Sequence, residues 1–340
     1  MRILVVNAGS SSLKLRLLGP GDVLESSWDA LPAELPAADV VVHRFVHGGT
    51  DFRQAVVINP AVEAALRALI PLAPLHQPKS LDALAAVRAV LPDALHIACF
   101  DTAFHATLSE PAVTYALPRE WNAKYGLRRY GFHGLSHAWA SRRAAELAPD
   151  ARRIVTCQLG AGVSLCAVLD GRSVDTTMGF TPLEGLVMAT RSGDVDPGLL
   201  MWLSTREPDL ADVLEHHSGL TGLAGSGDMR ELLGRADHDA RLAIEVYLHR
   251  LRKGIAAMAA SLGGIDALVF TGGVGENSAE IRQRAVDGLE FLGLGIDPLA
   301  NAAPTGDADV SRGDAHARTL VIAAREDLEM ARQVHLLLGR

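Results

Sequence analysis

Two stretches of the chain share one hydrophobic rhythm: residues 2–17, RILVVNAGSSSLKLRL, and residues 153–168, RIVTCQLGAGVSLCAV. Each is a β-branched run, a tight turn of small residues, then a second apolar run. Aligned without gaps at an offset of 153 − 2 = 151, they place Arg2 on Arg153, Ile3 on Ile154 and Gly9 on Gly160. Short apolar runs bounded by glycine predict strands, and glycine lets the turn backbone approach a ligand closely. In the second copy Asp170, Gly171 and Arg172 form a turn into a further strand. A strand–glycine turn–strand at the head of each half predicts a duplicated α/β protein with a cleft between the halves. The competing reading is two ordinary hairpins that resemble each other by coincidence.

The remaining pattern is coarser. Residues 18–40, with their prolines and glycines, predict a short connection, and residues 61–69, 81–90 and 137–147 predict helices. Residues 95–100 predict a strand ending at Asp101. The clearest helix spans 242–262, where Ile244, Tyr247, Leu248, Leu251, Ile255, Met258 and Leu262 recur at spacings of three and four. Residues 267–271 predict a strand feeding the turn GGVGEN, and Asn277 with Glu280 reads as an N-cap and capping box for the helix that follows. Residues 301–318 predict a loop, and Glu326 begins or precedes a final helix.

Length and composition narrow the class. A chain of 340 residues predicts two domains. A net charge of 32 − 40 = −8 argues against a broad nucleic-acid or anionic-membrane surface. Cys99, Cys157 and Cys166 form no CxxC and lie in apolar runs, so they read as small core residues rather than redox or zinc ligands. The opening MRILVVNAGSSS has too short an apolar run for a signal peptide, and no segment approaches the ~20 apolar residues of a membrane span. These features predict a soluble intracellular protein.

Several residues could carry chemistry. If VVHRFVHGG (41–49) is extended, Arg44 and Val46 share one face and His43, Phe45 and His47 the other. A guanidinium beside a small aliphatic suits a carboxylate with a short alkyl tail, the alternative being an edge-strand arginine in solvent. His133 lies between Gly131 and Gly134, which lets a loop carry an imidazole into a cleft to donate to a phosphoryl group. The pairs His43/His47 and His133/His137 have zinc-like spacing, but only on a helix, where neither glycine-flanked segment belongs. Asp101 and Glu326 follow strand-like runs, as magnesium-binding carboxylates often do; each could equally be a cap or a surface charge. Arg191, in ATRSGDVDPG, is either a second anion clamp or a loop ion pair with Asp194 or Asp196. GGVGENS (272–278) suits phosphates at a helix N-terminus but matches neither a Walker A motif nor GxGxxG.

Taken together and in order, the motifs resemble the acetate kinase (acetokinase) family. They are NAGSSSLK (7–14), HRFVHGG (43–49), APLHQP (73–78), FDTAFH (100–105), RRYGFHGLSH (128–137), DTTMGFTPLEG (175–185), TRSGDVDPG (190–198), SGDMREL (226–232), FTGGVGENS (270–278) and REDL (325–328). The resemblance implies an α/β, duplicated two-domain actin-like (ribonuclease H-like) fold with a central active-site cleft, shared with sugar kinases, Hsp70-type ATPases and actin. It implies an N-terminal domain of residues 1–103 plus 329–340 and a C-terminal domain of residues 104–328 with the nucleotide site and dimer interface. The implied reaction is reversible transfer of a phosphoryl group between ATP and acetate, giving acetyl phosphate and ADP. Mg2+ is the implied metal, with Mn2+ an accepted substitute, in a cytoplasmic homodimer without nucleic-acid or membrane partners.

Carried over by position, Arg44 and Arg191 hold the carboxylate and the transferring phosphoryl, and His133 stabilises the transition state. Asn7, Asp101 and Glu326 position phosphate and metal. Val46, Leu75, Phe132 and Pro182 line the methyl pocket, with His76 in support. Lys14, Gln158, Gly160, Ala161, Gly162, Asp228, Met229, Arg230, Gly273, Val274, Gly275 and Asn277 hold the nucleotide. The chain departs from the family pattern at QLGAG (158–162), where HLGNG is usual, and at Gln77 and Arg325, where asparagine is usual. Its 18–40 connection is also short. Two rival readings are a propionate or butyrate kinase of the same fold and a non-catalytic nucleotide-binding regulator.

Overall fold

The computed structural model describes residues 1–9 and 13–339. Ser10, Ser11 and Ser12, part of the first predicted turn, lie outside the described residues. The chain forms two compact units. One comprises Met1–Ala106, Phe132–Trp139 and Arg325–Arg340, the other Thr107–Gly131 and Ala140–Ala324.

The first unit holds strands β1 (Ile3–Ala8), β2 (Leu13–Leu18), β3 (Leu24–Trp28), β4 (Val40–Phe45), β5 (Val56–Val57) and β6 (Leu95–Phe100). They form a sheet of order β3-β2-β1-β4-β6-β5. The second holds β7 (Arg153–Leu159), β8 (Val163–Leu169), β9 (Arg172–Thr176), β10 (Ala267–Thr271), β11 (Ala308–Asp309) and β12 (Arg318–Val321). Its order, read in the same sense, is β9-β8-β7-β10-β12-β11. Each sheet is therefore an antiparallel meander of three strands, two further strands in parallel, and a two-residue antiparallel edge strand. Even the register shift between the second and third strands recurs. The duplication predicted from two hairpins extends to the whole sheet.

Central strands of such a sheet are covered on both faces, so they read as unbroken apolar runs. In the first unit, Ile3, Val5, Val40, Val42, Ile97 and Cys99 pack on Met330, Ala331 and Val334 of the helix Glu326–Leu338. The alternate residues Leu4, Val6, Leu15, Leu17 and Val41 meet Ala83 and Val87 of the helix Gln77–Val90. In the second unit the long helix is His238–Leu262, capped by the Asp237 side chain at its start and by left-handed Gly263 at its end. All seven of its predicted core residues are buried.

The structure corrects three local readings. Residues 18–40 contain β3, a mostly polar edge strand (LESSW) whose pairing with β2 rests on main-chain bonds and leaves no apolar signal. Asn277 is not an N-cap: residues Gly272–Asn277 are already helical, and Ser278 caps the next helix through a bond from Ile281 N–H. Residues 301–318 include β11 as well as loop. Among the described residues no helix is long and apolar enough to cross a membrane.

Five histidines of the first unit are buried: His43, His47, His96, His105 and His137. Burial, joined by neighbouring charges or imidazoles, pushes His43 and His137 well below the usual range, and burial holds His47 and His105 down to about 4. The unfolded chain, with ordinary histidines near ~6.5, binds protons that the fold does not. Stability is thus fully present above pH ~6.5 and falls as pH drops toward 4. Urea midpoints measured from pH 8 to 5 should fall steeply below pH ~6.5; a flat profile would show these histidines titrating normally.

Candidate active site

The alternation that sorts the first core also sorts its polar groups. The next residues in phase with Val5, Val42 and Cys99 are Asn7, Arg44 and Asp101, at the strand ends on the face covered by the final helix. That helix opens with Glu326. Arg44 Nε and Nη2 donate to Asp101 Oδ1 and Oδ2 at 2.8 and 2.6 Å, and Nη1 donates to Asn7 Oδ1 at 3.0 Å. Asn7 Nδ2 donates to Glu326 Oε2 at 2.8 Å, and that oxygen lies 3.7 Å from Arg44 Nη1. Asp101 is 1% exposed. Burial alone would lower the Arg44 pKa, but the charges of Asp101 and Glu326 and the bond to Asp101 outweigh it, so the group is held firmly positive. The bidentate fork also fixes the plane of the guanidinium.

His133 has a left-handed backbone, φ 56°, which costs a non-glycine residue on the order of 1–3 kcal/mol. It follows Gly131 (φ 73°) and precedes Gly134, whose N–H donates to the Asp101 carbonyl at 2.9 Å. A β-carbon at residue 134 would lie 2.1 Å from that carbonyl oxygen. Glycine is required there for the His133 segment to seat on the end of β6. Phe132 is buried edge-on against His47, at 5.6 Å between centroids, and its carbonyl bonds the His105 ring at 2.9 Å. Val46 is buried, His76 half-buried, and Leu75 exposed. Lys14 is exposed on β2, paired with Asn7 across the hairpin.

Two departures from the family pattern have local explanations. Gln77 Nε2 reaches the carbonyls of both His47 and Leu66, at 3.3 and 3.2 Å, and so ties the segment after β4 to the helix Pro60–Ala68. Arg325 donates from Nε and Nη2 to Asp327, which also receives Arg16 at 3.0 Å. The added cation is therefore matched by Asp327.

In the second unit, Gly160, Ala161 and Gly162 form the turn between β7 and β8, closed by Gly160 N–H to Gly162 O at 3.1 Å, and Gln158 lies in β7 just before it. Gly272 has φ 80°, and a β-carbon there would lie 2.8 Å from Gln158 Nε2 and 2.9 Å from Leu159 O. This close approach joins the QLGAG turn to the helix Gly272–Asn277, in which Gly273 and Asn277 are exposed, Val274 half-buried and Gly275 buried. Asp228 caps the helix Met229–Leu233 and pairs with exposed Arg230, while the Met229 side chain is buried. Arg191 pairs through Nε with Glu215 Oε2 at 3.1 Å, so the alternative of a loop ion pair with Asp194 or Asp196 gives way to a different partner. Asp194 instead accepts from Gly185 N–H, and Asp196 caps the helix Pro197–Ser204. Pro182 lies in the half-buried loop between Phe180 and Glu184.

Sequence reading missed two residues that shape this half. Glu276 Oε1 accepts from the N–H groups of Gly272 and Ala324, at 2.9 and 3.0 Å. Arg282, 1% exposed, donates to the carbonyls of Gly275 and Glu276 and to the side chain and carbonyl of Asn301. The only sequence signal was an arginine in phase with Ile281 and Ala285 on a buried helix face. Among the described residues no three His, Cys, Asp or Glu side chains gather into a metal-holding group.

Two units of one strand order, with a polar cluster at the strand ends of one and a glycine-rich turn in the other, define the duplicated α/β fold of the acetate and sugar kinases, Hsp70-type ATPases and actin. Within that class the chain belongs to the acetokinase family, whose sequence profile matches residues 26–332. An acetate kinase of Nostoc punctiforme is 48% identical over 308 residues, covering 87% of this chain and 76% of that one. The crystal structure of Porphyromonas gingivalis acetate kinase superposes with a TM-score of 0.90 at 34% identity, covering 99% of both chains. A propionate kinase from Francisella tularensis superposes with a TM-score of 0.89 at 34% identity, covering 98% of both.

Gly134→Ala should displace the His133 segment. The expected result is a loss of about 2–3 kcal/mol in unfolding free energy together with reduced turnover, measured by urea titration and initial rates. Wild-type values for both would contradict the seating of this segment on Asp101.

Proposed function

We propose that the chain is a Mg2+-dependent phosphotransferase that moves the γ-phosphoryl of ATP to acetate, reversibly and by direct in-line transfer. The observation that carries this reading is the Arg44–Asp101–Asn7–Glu326 cluster, a fixed cation among oxygen donors at the strand ends. A carboxylic acid with a pKa near ~4–5 is already ionised at neutral pH, so the acceptor needs no general base. What remains is alignment and charge neutralisation, the terms that dominate phosphoryl transfer.

In this reading Arg44, oriented by Asp101, receives the acetate carboxylate, and Arg191 receives the transferring phosphoryl. His133 donates a hydrogen bond to the phosphoryl oxygens as charge spreads over them. Val46, Leu75, Phe132 and Pro182 bound the methyl group, and His76 backs that wall. Lys14, the 158–162 turn, Asp228, Met229, Arg230 and the 273–277 segment hold the nucleotide. The amide and carboxylate oxygens of Asn7 and Glu326 would hold a small hard cation such as Mg2+. Such a metal, when bound, neutralises phosphate charge. The reading includes a cytoplasmic homodimer. Leu199, Met201 and Trp202, exposed on one eight-residue helix, support a surface made for a second copy.

A second reading, a propionate kinase, is favoured by the near-equal likeness to the Francisella tularensis structure. One methylene is worth about 1–3 kcal/mol in an apolar pocket, so the two acids should differ by about 10- to 200-fold in kcat/KM. Hydroxamate trapping with Mg2+ and ATP should rank acetate above propionate and butyrate, while light scattering reads a dimer in the same sample. Normal ATP binding without an acyl phosphate from any of the three would point instead to a regulator. Replacing ATP by GTP or pyrophosphate tests the donor half, on which the altered QLGAG turn bears.

A further inference from the structure

The loop that carries Pro182 is held by side chains that the reaction itself does not use. Glu184 Oε1 takes Arg129 Nη2, while Glu184 Oε2 accepts from the Tyr115 hydroxyl at 2.5 Å. The same hydroxyl oxygen accepts the Phe180 N–H at 2.7 Å. Tyr115 therefore bridges the two ends of the Thr181–Pro182–Leu183 segment, receiving at one end and donating at the other. Arg129 completes the brace, with Nη1 on the carbonyls of Thr177 and Met178 at 3.2 and 3.0 Å. Gly179 leaves room for it: a β-carbon there would lie 1.6 Å from Glu184 Oε2 and 2.3 Å from the Tyr115 oxygen. The Gly179 carbonyl accepts from the N–H groups of Tyr130 and Gly131, directly before Phe132 and His133 in the chain.

The brace continues toward Arg191. Gly185 N–H donates to Asp194 Oδ1 at 2.8 Å, and Asp194 N–H returns to Gly185 O at 2.9 Å. Met188 N–H donates to Arg191 O at 3.1 Å. Gly193, at φ 67°, sits so close that a β-carbon would lie 2.4 Å from Leu186 O. The Pro182 loop and the Arg191 loop thus form one body, and the Glu184 carboxylate with its two partners sets where that body stands relative to residues 115 and 129.

We infer that Tyr115, Glu184 and Arg129 are positioning residues that set acid-chain selectivity, by pinning both ends of the Thr181–Pro182–Leu183 wall. The inference rests on the proposed placement of Pro182 beside the methyl group. Tyr115→Phe removes the one oxygen that serves both ends of the loop while keeping the ring. Its KM for acetate should rise about tenfold, the size of one lost charge-assisted hydrogen bond, with KM for ATP unchanged. The acetate-to-propionate ratio of kcat/KM should fall by a similar factor, since a looser wall admits the extra methylene. Glu184→Gln, which keeps shape but not charge, should move the same ratio in the same direction, and melting curves show whether either variant is folded. An unchanged acid ratio in a folded Tyr115→Phe protein, or an equal rise in KM for ATP, would overturn the inference while leaving the kinase reading intact. A wild-type protein that phosphorylates neither acid would overturn both.

Discussion

Everything in the first unit's site depends on one buried ion pair. Taking a guanidinium and a carboxylate out of water costs several kcal/mol each, and is tolerable only when geometry and additional hydrogen bonds compensate. Here the compensation is nearly complete: both Asp101 oxygens are used by Arg44, and the remaining Arg44 amino group meets Asn7 and Glu326. The pair in turn fixes its surroundings. It joins the ends of β4 and β6, and through Asn7 and Glu326 it reaches β1 and the start of the last helix. The Asp101 carbonyl also receives Gly134, so the His133 segment is referenced to the same residue.

The internal duplication places different side chains at matching positions of two copies of one sheet. The offset of 151 places Gln158 where the first copy has Asn7. Strand register extends the correspondence: Arg44 lies beside Asn7 and Cys99, as Thr271 lies beside Gln158 and the residue after Val321. The charged position of β4 is therefore a neutral threonine in β10, and the position matching Asp101 is Ala324. Where the first unit invests charge, the second offers main chain, with Gly160, Gly162, Gly272 and Gly273 free of side chains near the turn. On the proposed function, the fixed cation would serve the carboxylate and the glycines a nucleotide held through backbone amides.

Much of this was legible in the sequence because it follows simple periodicity. Seven residues at helical spacing marked the core of the longest helix, and alternation in β4 placed Arg44 opposite His43 and Phe45. What could not be read depended on long-range pairing. β3 is too polar to announce itself, since its place is set by main-chain bonds to β2. The Arg191–Glu215 pair links residues 24 positions apart, and the Tyr115–Glu184 bond links residues 69 apart. Arg282 looked like any helix arginine, because burial by Asn301 and the Gly275 carbonyl arises only once the helices pack. Ser278 lost to Asn277 in the reading of the cap for a local reason: the glycine-rich turn proved helical, moving the boundary by one residue.

The most direct test of this account is a double-mutant cycle on Arg44 and Asp101, reading kcat/KM for acetate. If the pair acts as one unit, Arg44→Ala and Asp101→Ala each lose nearly all activity and the double variant is no worse than the poorer single one. Effects that multiply independently, or an Asp101→Ala protein that keeps wild-type kcat/KM for acetate, would contradict the central role given to this ion pair.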